Sequence, residues 1–180
     1  GSSSGPELTR EFEAAIPAHV KPLPPAAQPV ESFNPKSDYL SGLLAKVSLK
    51  NPPFSKRLHV VIDCMHGSGA GYLADALKSI GIACTEIHSN RDPLFGGHAP
   101  EPLPQFSSEL THAIALTRQK DPHALVAGIL FDGDADRIAA MDETGRFLDT
   151  HRVFLLLLDH LVARRRMTGK DVKTYNVSQK

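Results

Sequence analysis

The sequence predicts an α/β layer protein, with a mixed, mostly parallel sheet of about four strands flanked by helices. Three observations carry this. Between residues 58 and 131 short apolar runs alternate with stretches of helical period, giving strand, helix, strand, helix, strand. A fourth apolar run, residues 138–141, follows an acidic turn and reads as an antiparallel return, which makes the sheet mixed. The hydrophobic share of the 180 residues is 41%, enough for a real core.

The elements follow in order. Residues 6–16 predict a helix, with Pro6 in the first turn, early acidic residues, and Leu8, Phe12 and Ile16 at four-residue spacing. Pro17, Pro22, Pro24, Pro25, Pro29 and Pro35 then forbid regular structure and mark a linker. Residues 38–47 read as a short helix capped by Ser37 or Asp38 and closed by Asn51-Pro52-Pro53. Residues 58–63 form a strand, Gly67-Ser68-Gly69-Ala70-Gly71 a turn, and residues 72–80 a helix ending at Gly81. A second strand, 82–87, leads to a long loop, 88–104, and a helix, 106–120, with Leu110, Ile114 and Ala113 on its inner face. Residues 125–131 are the third strand. Glu143-Thr144-Gly145-Arg146 turns the chain after the fourth; residues 153–166 predict an apolar helix with a basic end, and residues 173–177 another strand.

Charge and composition remove several functions. Twenty basic residues balance twenty acidic ones, so nothing favours nucleic acid or an anionic membrane as partner. Arg164-Arg165-Arg166 at a helix C-terminus has a sufficient reason in the helix dipole. The longest strongly apolar stretch, 153–158, is too short to span a bilayer, and no signal-peptide pattern opens the chain. Cys64 and Cys84 lie in apolar runs without framework spacing, the pattern of reduced thiols in a cytoplasmic protein. With Gly1 and no initiator Met, the sequence reads as a processed or excised piece, and residues 1–5 as a scar or a native loop.

Two segments suggest phosphate or metal chemistry. Gly67-x-Gly69-x-x-Tyr72 lacks the third glycine of a dinucleotide fingerprint, and no Gly-Lys-Ser/Thr follows, so the glycines serve a tight turn. Phe131-Asp132-Gly133-Asp134-Ala135-Asp136-Arg137 is more informative. It delivers three carboxylates to a strand exit, where they repel one another unless a cation is present. Hard oxygen donors without nearby Cys or His favour Mg²⁺ or Mn²⁺ over zinc, and Arg137 adds a cation suited to a phosphate dianion. The loop reads against an EF-hand, because Arg137 occupies the position where its sharp turn demands glycine and the flanks read as strands instead of helices. An aspartyl nucleophile of phosphatase type also follows a buried strand and stays open at this point. His66 reads as a turn or core-edge residue, and His98 as a surface residue or interdomain contact instead of a metal ligand.

Asp132-Gly133-Asp134-Ala135-Asp136-Arg137 resembles the metal-binding loop of the α-D-phosphohexomutases, the phosphoglucomutase and phosphomannomutase family. Val61-Ile62-Asp63-Cys64-Met65-His66-Gly67-Ser68-Gly69 is similar to the opening of that family's second domain, and residues 92–102 to its long connecting loop. Residues 139–145 and the following helix also fit. The resemblance covers about residues 36–180 and, more loosely, the helix at 6–16. It implies that residues 1–35 are the tail of a preceding domain and a Pro-rich linker, 36–168 the second domain, and 169–180 the start of a third.

The resemblance also implies reversible phosphoryl transfer between hexose 1-phosphate and hexose 6-phosphate, with a phosphohexose as substrate of the full-length enzyme. Mg²⁺ would bridge a phosphoserine of the first domain and Asp132, Asp134 and Asp136, with Arg137 contacting the same phosphoryl group. None of Ser32, Ser55, Ser68 or Ser107 stands in the family's serine-loop context, and the sugar and phosphate loops of later domains are absent. The expectation is a piece that is inactive alone. A standalone divalent-metal-binding module and an Asp-dependent phosphatase are the alternatives.

Overall fold

The computed structural model describes residues 5–17, 31–47 and 56–169. The chain divides into two compact units, residues 1–34 and 35–180. The first holds helix α1, Pro6–Ala15, with Pro6 at its first turn; Leu8, Phe12 and Ile16 are exposed. The predicted strand at 173–177 and much of the Pro-rich stretch lie outside the described residues.

The second unit is an α/β/α layer. Its elements are α2 (Lys36–Lys46), β1 (Leu58–Asp63), α3 (Tyr72–Ser79), β2 (Ala83–Ile87), α4 (Ser108–Lys120), β3 (Leu125–Phe131), β4 (Ile138–Met141), β5 (Phe147–Leu148) and α5 (Thr150–Asp159). The sheet runs β2-β1-β3-β4-β5. β1 pairs parallel with β2 and β3, whereas β3–β4 and β4–β5 are antiparallel.

Alternation along the strands creates the two layers. Val61, Met65, Val126, Leu130 and Met141 pack with Leu110 and Ile114 of α4. Val60, Ile62 and Cys64 point the other way, onto Ala74 of α3 and Ile82. This period of two is what makes a strand covered on both faces read as a continuous apolar run. Gly128 lets α4 approach the sheet closely: a Cβ there would lie 2.7 Å from Ile114 Cδ1. Cys64 is buried, Cys84 half-buried, and both are free thiols. No helix among the described residues is long and apolar enough to cross a membrane.

Several predicted boundaries move, each for a local reason. α2 starts at Lys36 behind Pro35 and has no side-chain cap, so the expected Ser37 or Asp38 cap does not form. α4 starts at Ser108 because residues 104–106 form a separate 3₁₀ turn under Pro104. A fifth strand, β5, was not expected; Asp142 Oδ1 accepts from the amides of Thr144 and Arg146 and folds residues 142–146 into a tight hairpin. The last helix begins at Thr150, not 153, since Asp149 caps it by accepting from the Arg152 amide at 2.9 Å. It continues past Asp159 as a wider π turn, His160–Arg164. Asp149→Ala is expected to cost about 1 kcal/mol, the usual loss for such a cap, read as a lower urea midpoint with unchanged slope.

Candidate metal centre

The site sits where the strand order reverses. β1 is flanked by β2 on one side and β3 on the other, so the crossovers diverge above their carboxyl ends. In open α/β sheets this crevice is where ligands bind. The register aligns Asp63 with Leu130, so the turn after β1 and the acidic loop after β3 leave the sheet side by side.

The acidic loop is clamped on both flanks through Gly133. Its amide donates to the Pro100 carbonyl at 3.1 Å, and its carbonyl accepts from the Ser68 amide at 2.9 Å. Gly67 is required at this approach: a Cβ on it would lie 2.5 Å from the Gly133 oxygen. The glycines after β1 therefore serve a backbone-to-backbone contact with the acidic loop as well as a tight turn. Ala135 takes a left-handed φ of 62°, turning the loop back so that Asp136 and Arg137 face Asp132.

The three predicted carboxylates converge. One oxygen from each of Asp132, Asp134 and Asp136 lies within 4.8 Å of the others. Asp132 is buried (1% exposed), while Asp134 and Asp136 are exposed. Arg137 grips Asp132 twice, its amide donating to Oδ1 at 3.0 Å and its Nε to Oδ2 at 2.6 Å. The guanidinium also lies 3.8 Å from Asp136 Oδ1 and from Glu101 Oε1. Burial pushes the Asp132 carboxyl up, but the bonds and charge from Arg137 outweigh it and hold the group below the usual carboxylate range. The Asp136 carboxyl is pushed up, first by the charge of Asp134, then by burial and Asp132. Arg137 has its own value raised by its hydrogen bond to Asp132.

This donor set fits a hard divalent cation. Three carboxylate oxygens from one loop supply half of an octahedral shell, and Mg²⁺ keeps waters for the rest. Asp132 still has a lone pair on each oxygen after binding Arg137. The raised value at Asp136 records uncompensated negative charge, which a cation relieves. Arg137 supports the geometry by neutralising the buried member. Arg137→Ala is therefore expected to destabilise the second unit by about 2 kcal/mol, less than for a fully buried pair because the guanidinium is half-exposed. Denaturant unfolding measures this, and Arg137→Lys should recover only part of the loss, since lysine keeps the backbone amide bond and a positive charge but has no guanidinium Nε–H to replace the 2.6 Å bond to Asp132 Oδ2.

The structure brings Asp132, Asp134, Asp136 and Arg137 together, as their spacing implied, but sequence reasoning missed their supports. Glu101, Pro100 and Ser68 reach the loop from distant parts of the chain, and nothing in their local sequence announces it. His66 lies in the turn after β1, its Nδ1 3.0 Å from the Asn90 carbonyl oxygen. His98 is exposed and stacks on Phe106 at 4.6 Å between centroids.

The fold and site define an α/β/α domain that presents a three-carboxylate loop, with an arginine, at a topological switch point. A family model described as phosphoglucomutase/phosphomannomutase, alpha/beta/alpha domain II, matches residues 37–145. The chain belongs to that family, and the matched segment is its second domain. It is 30% identical over 149 residues to a "Probable phosphoglucosamine mutase" of Methanothermobacter thermautotrophicus, covering 83% of this chain and 29% of the relative. A phosphoglucomutase of Neisseria meningitidis serogroup B is 27% identical over 127 residues, 71% of this chain and 25% of its own. A crystal structure from Thermus thermophilus, assigned as a phosphomannomutase, superposes with a TM-score of 0.65 at 28% identity, covering 91% of this chain and 35% of that one. The chain thus spans about a quarter to a third of the length of the relatives it matches.

Proposed function

We propose that this chain is the metal-bearing part of a sugar-phosphate mutase, which moves a phosphoryl group between the 1- and 6-positions of a hexose. The observation that carries this is the convergence of Asp132, Asp134 and Asp136 on one point with Arg137 beside it. The relatives named phosphoglucosamine mutase and phosphoglucomutase support the hexose phosphate as substrate class. Asp132, Asp134 and Asp136 would hold Mg²⁺, which when bound supplies charge stabilisation to a phosphoryl group in transfer. Arg137 would supply a fixed positive charge to the same phosphoryl group while its Nε keeps Asp132 oriented. The phosphoserine that donates the phosphoryl group is assigned to a part of the parent protein outside this chain, and the chain alone is inactive.

The phosphatase alternative is disfavoured by Asp132 itself. A nucleophilic carboxylate must be open to in-line approach by a phosphorus atom, yet Asp132 is 1% exposed and its orientation is fixed by Arg137 on both oxygens, which leaves lone pairs for a small cation but little access for a phosphate ester. The experiment is a coupled assay of hexose 1-phosphate conversion with the full-length parent and with this chain. The expected result is magnesium-dependent transfer to the 6-position by the parent, and none by the chain. Release of inorganic phosphate without transfer, or turnover by the chain alone above a protein-free blank, overturns the proposal. Calorimetry is expected to show weak Mg²⁺ binding to the chain, since three carboxylates leave half the shell to water.

A further inference from the structure

A second cluster of charged groups lies beside the acidic loop and takes no part in the roles given so far. His88 is the residue after β2 and adopts a left-handed φ of 50°. Its Nδ1 lies 2.8 Å from Asp63 Oδ1 and its Nε2 2.7 Å from Glu109 Oε2. A neutral imidazole has one N–H, so serving two carboxylates requires the doubly protonated ring. Asp63 from β1, Glu109 from α4 and the His66 ring, 4.8 Å away on the turn after β1, are the titratable groups facing it. Burial pulls the His88 pKa down, but the hydrogen bonds and charges of Asp63 and Glu109 outweigh it, leaving the value raised.

The cluster is joined to the acidic loop by a short run of chain. Asp63 is 1% exposed; its Oδ1 also accepts from the Met65 amide at 2.9 Å, and its Oδ2 has no hydrogen-bond partner. The His88 carbonyl accepts from the His66 amide at 2.8 Å. His88 therefore holds the turn after β1 through both its ring and its backbone, and two residues after His66 the Ser68 amide donates to Gly133. A buried carboxylate with one orphaned oxygen depends on a counter-charge, and the imidazolium supplies it.

We infer that His88 is a charged positioning residue for the acidic loop: its imidazolium, clamped between Asp63 and Glu109, sets the 63–68 turn that seats Gly133, and losing that proton loosens the seat of Asp132, Asp134 and Asp136. Its consequence for metal binding rests on the reading of that trio as a cation site. The sign is definite. Because the folded value is raised above the ordinary 6.5, the stabilisation is fully present below that pH and is lost as pH rises through the folded value. Carboxylates ordinarily titrate far below that window, so the loop's own acids do not produce such a trend.

The test is nitrogen-15 NMR of the imidazoles and amides of the 180-residue chain across neutral to alkaline pH, in the wild type and in Glu109→Gln. Glu109 is 72% exposed, so this variant leaves the fold intact while removing one partner. The expected result is a His88 ring protonated on both nitrogens at pH 6.5. The Ser68 and Gly133 amides should titrate with its midpoint, and all three should move to lower pH in Glu109→Gln. Calorimetric Mn²⁺ affinity is expected to weaken about threefold as pH rises through the midpoint, below the range typical for direct supports of a metal ligand. A neutral His88 at pH 6.5, loop amides that ignore its midpoint, or a midpoint unmoved in Glu109→Gln would overturn the inference. Mn²⁺ failing to bind at every pH overturns the cation-site reading instead, while the amide titration still decides the role of His88.

Discussion

Replacing Asp132, Asp134 and Asp136 together by alanine in the full-length parent is expected to reduce phosphoryl transfer roughly a thousandfold. Electrostatic groups aimed at a transferring phosphoryl group are worth about 10²–10³ apiece in comparable sites, and the carboxylates act as one unit through a shared cation. Effects of the single changes should therefore not add. Asp132→Ala carries a second penalty, because it strands Arg137 beside an emptied buried position. The coupled assay at saturating Mg²⁺ measures this. Loss of less than about tenfold in the triple variant would remove the metal loop from the transfer step.

Gly67→Ala is expected to destabilise the second unit by about 3 kcal/mol, at the upper end of what overpacking costs. The added Cβ would stand 2.5 Å from the Gly133 carbonyl oxygen and 2.9 Å from its Cα. Both are backbone atoms, so no side chain can swing aside; one loop must shift. Moving Gly133 breaks its bonds to Ser68 and Pro100 and unseats the carboxylates on either side of it. Divalent-cation affinity should fall together with the urea midpoint. Gly81→Ala provides the contrast: a Cβ there meets nothing within 4 Å, so its cost is limited to the strain of a positive φ of 77°. Equal effects of the two variants on cation binding would show that the close approach at Gly67 does not matter.

The strands were the most legible part of the fold. β1, β3 and β4 lie at the predicted bounds, because apolar runs of four to seven residues between polar or glycine-rich breaks have few other solutions. The inner face of α4, Leu110 and Ile114, was equally plain from its spacing. Errors fell at element ends, where a single side-chain bond decides the outcome. Asp149 started α5 three residues early, and Asp142 formed a hairpin whose second strand, β5, has only two residues and no periodicity of its own.

By itself the sequence determined the layer class and the three carboxylates with their arginine, because both are local: period and spacing along one stretch of chain encode them. It also carried the resemblance through which the family was recognised. Only the tertiary structure decided how the acidic loop is held. Ser68 and Pro100 clamp Gly133, Glu101 stands near Arg137, and His88 bridges Asp63 and Glu109. These contacts join residues 21 to 65 positions apart along the chain, and they exist because parallel pairing of β1 with both β2 and β3 brings three strand exits together. No local pattern encodes such a meeting, since each partner's neighbours are equally compatible with a turn that touches nothing.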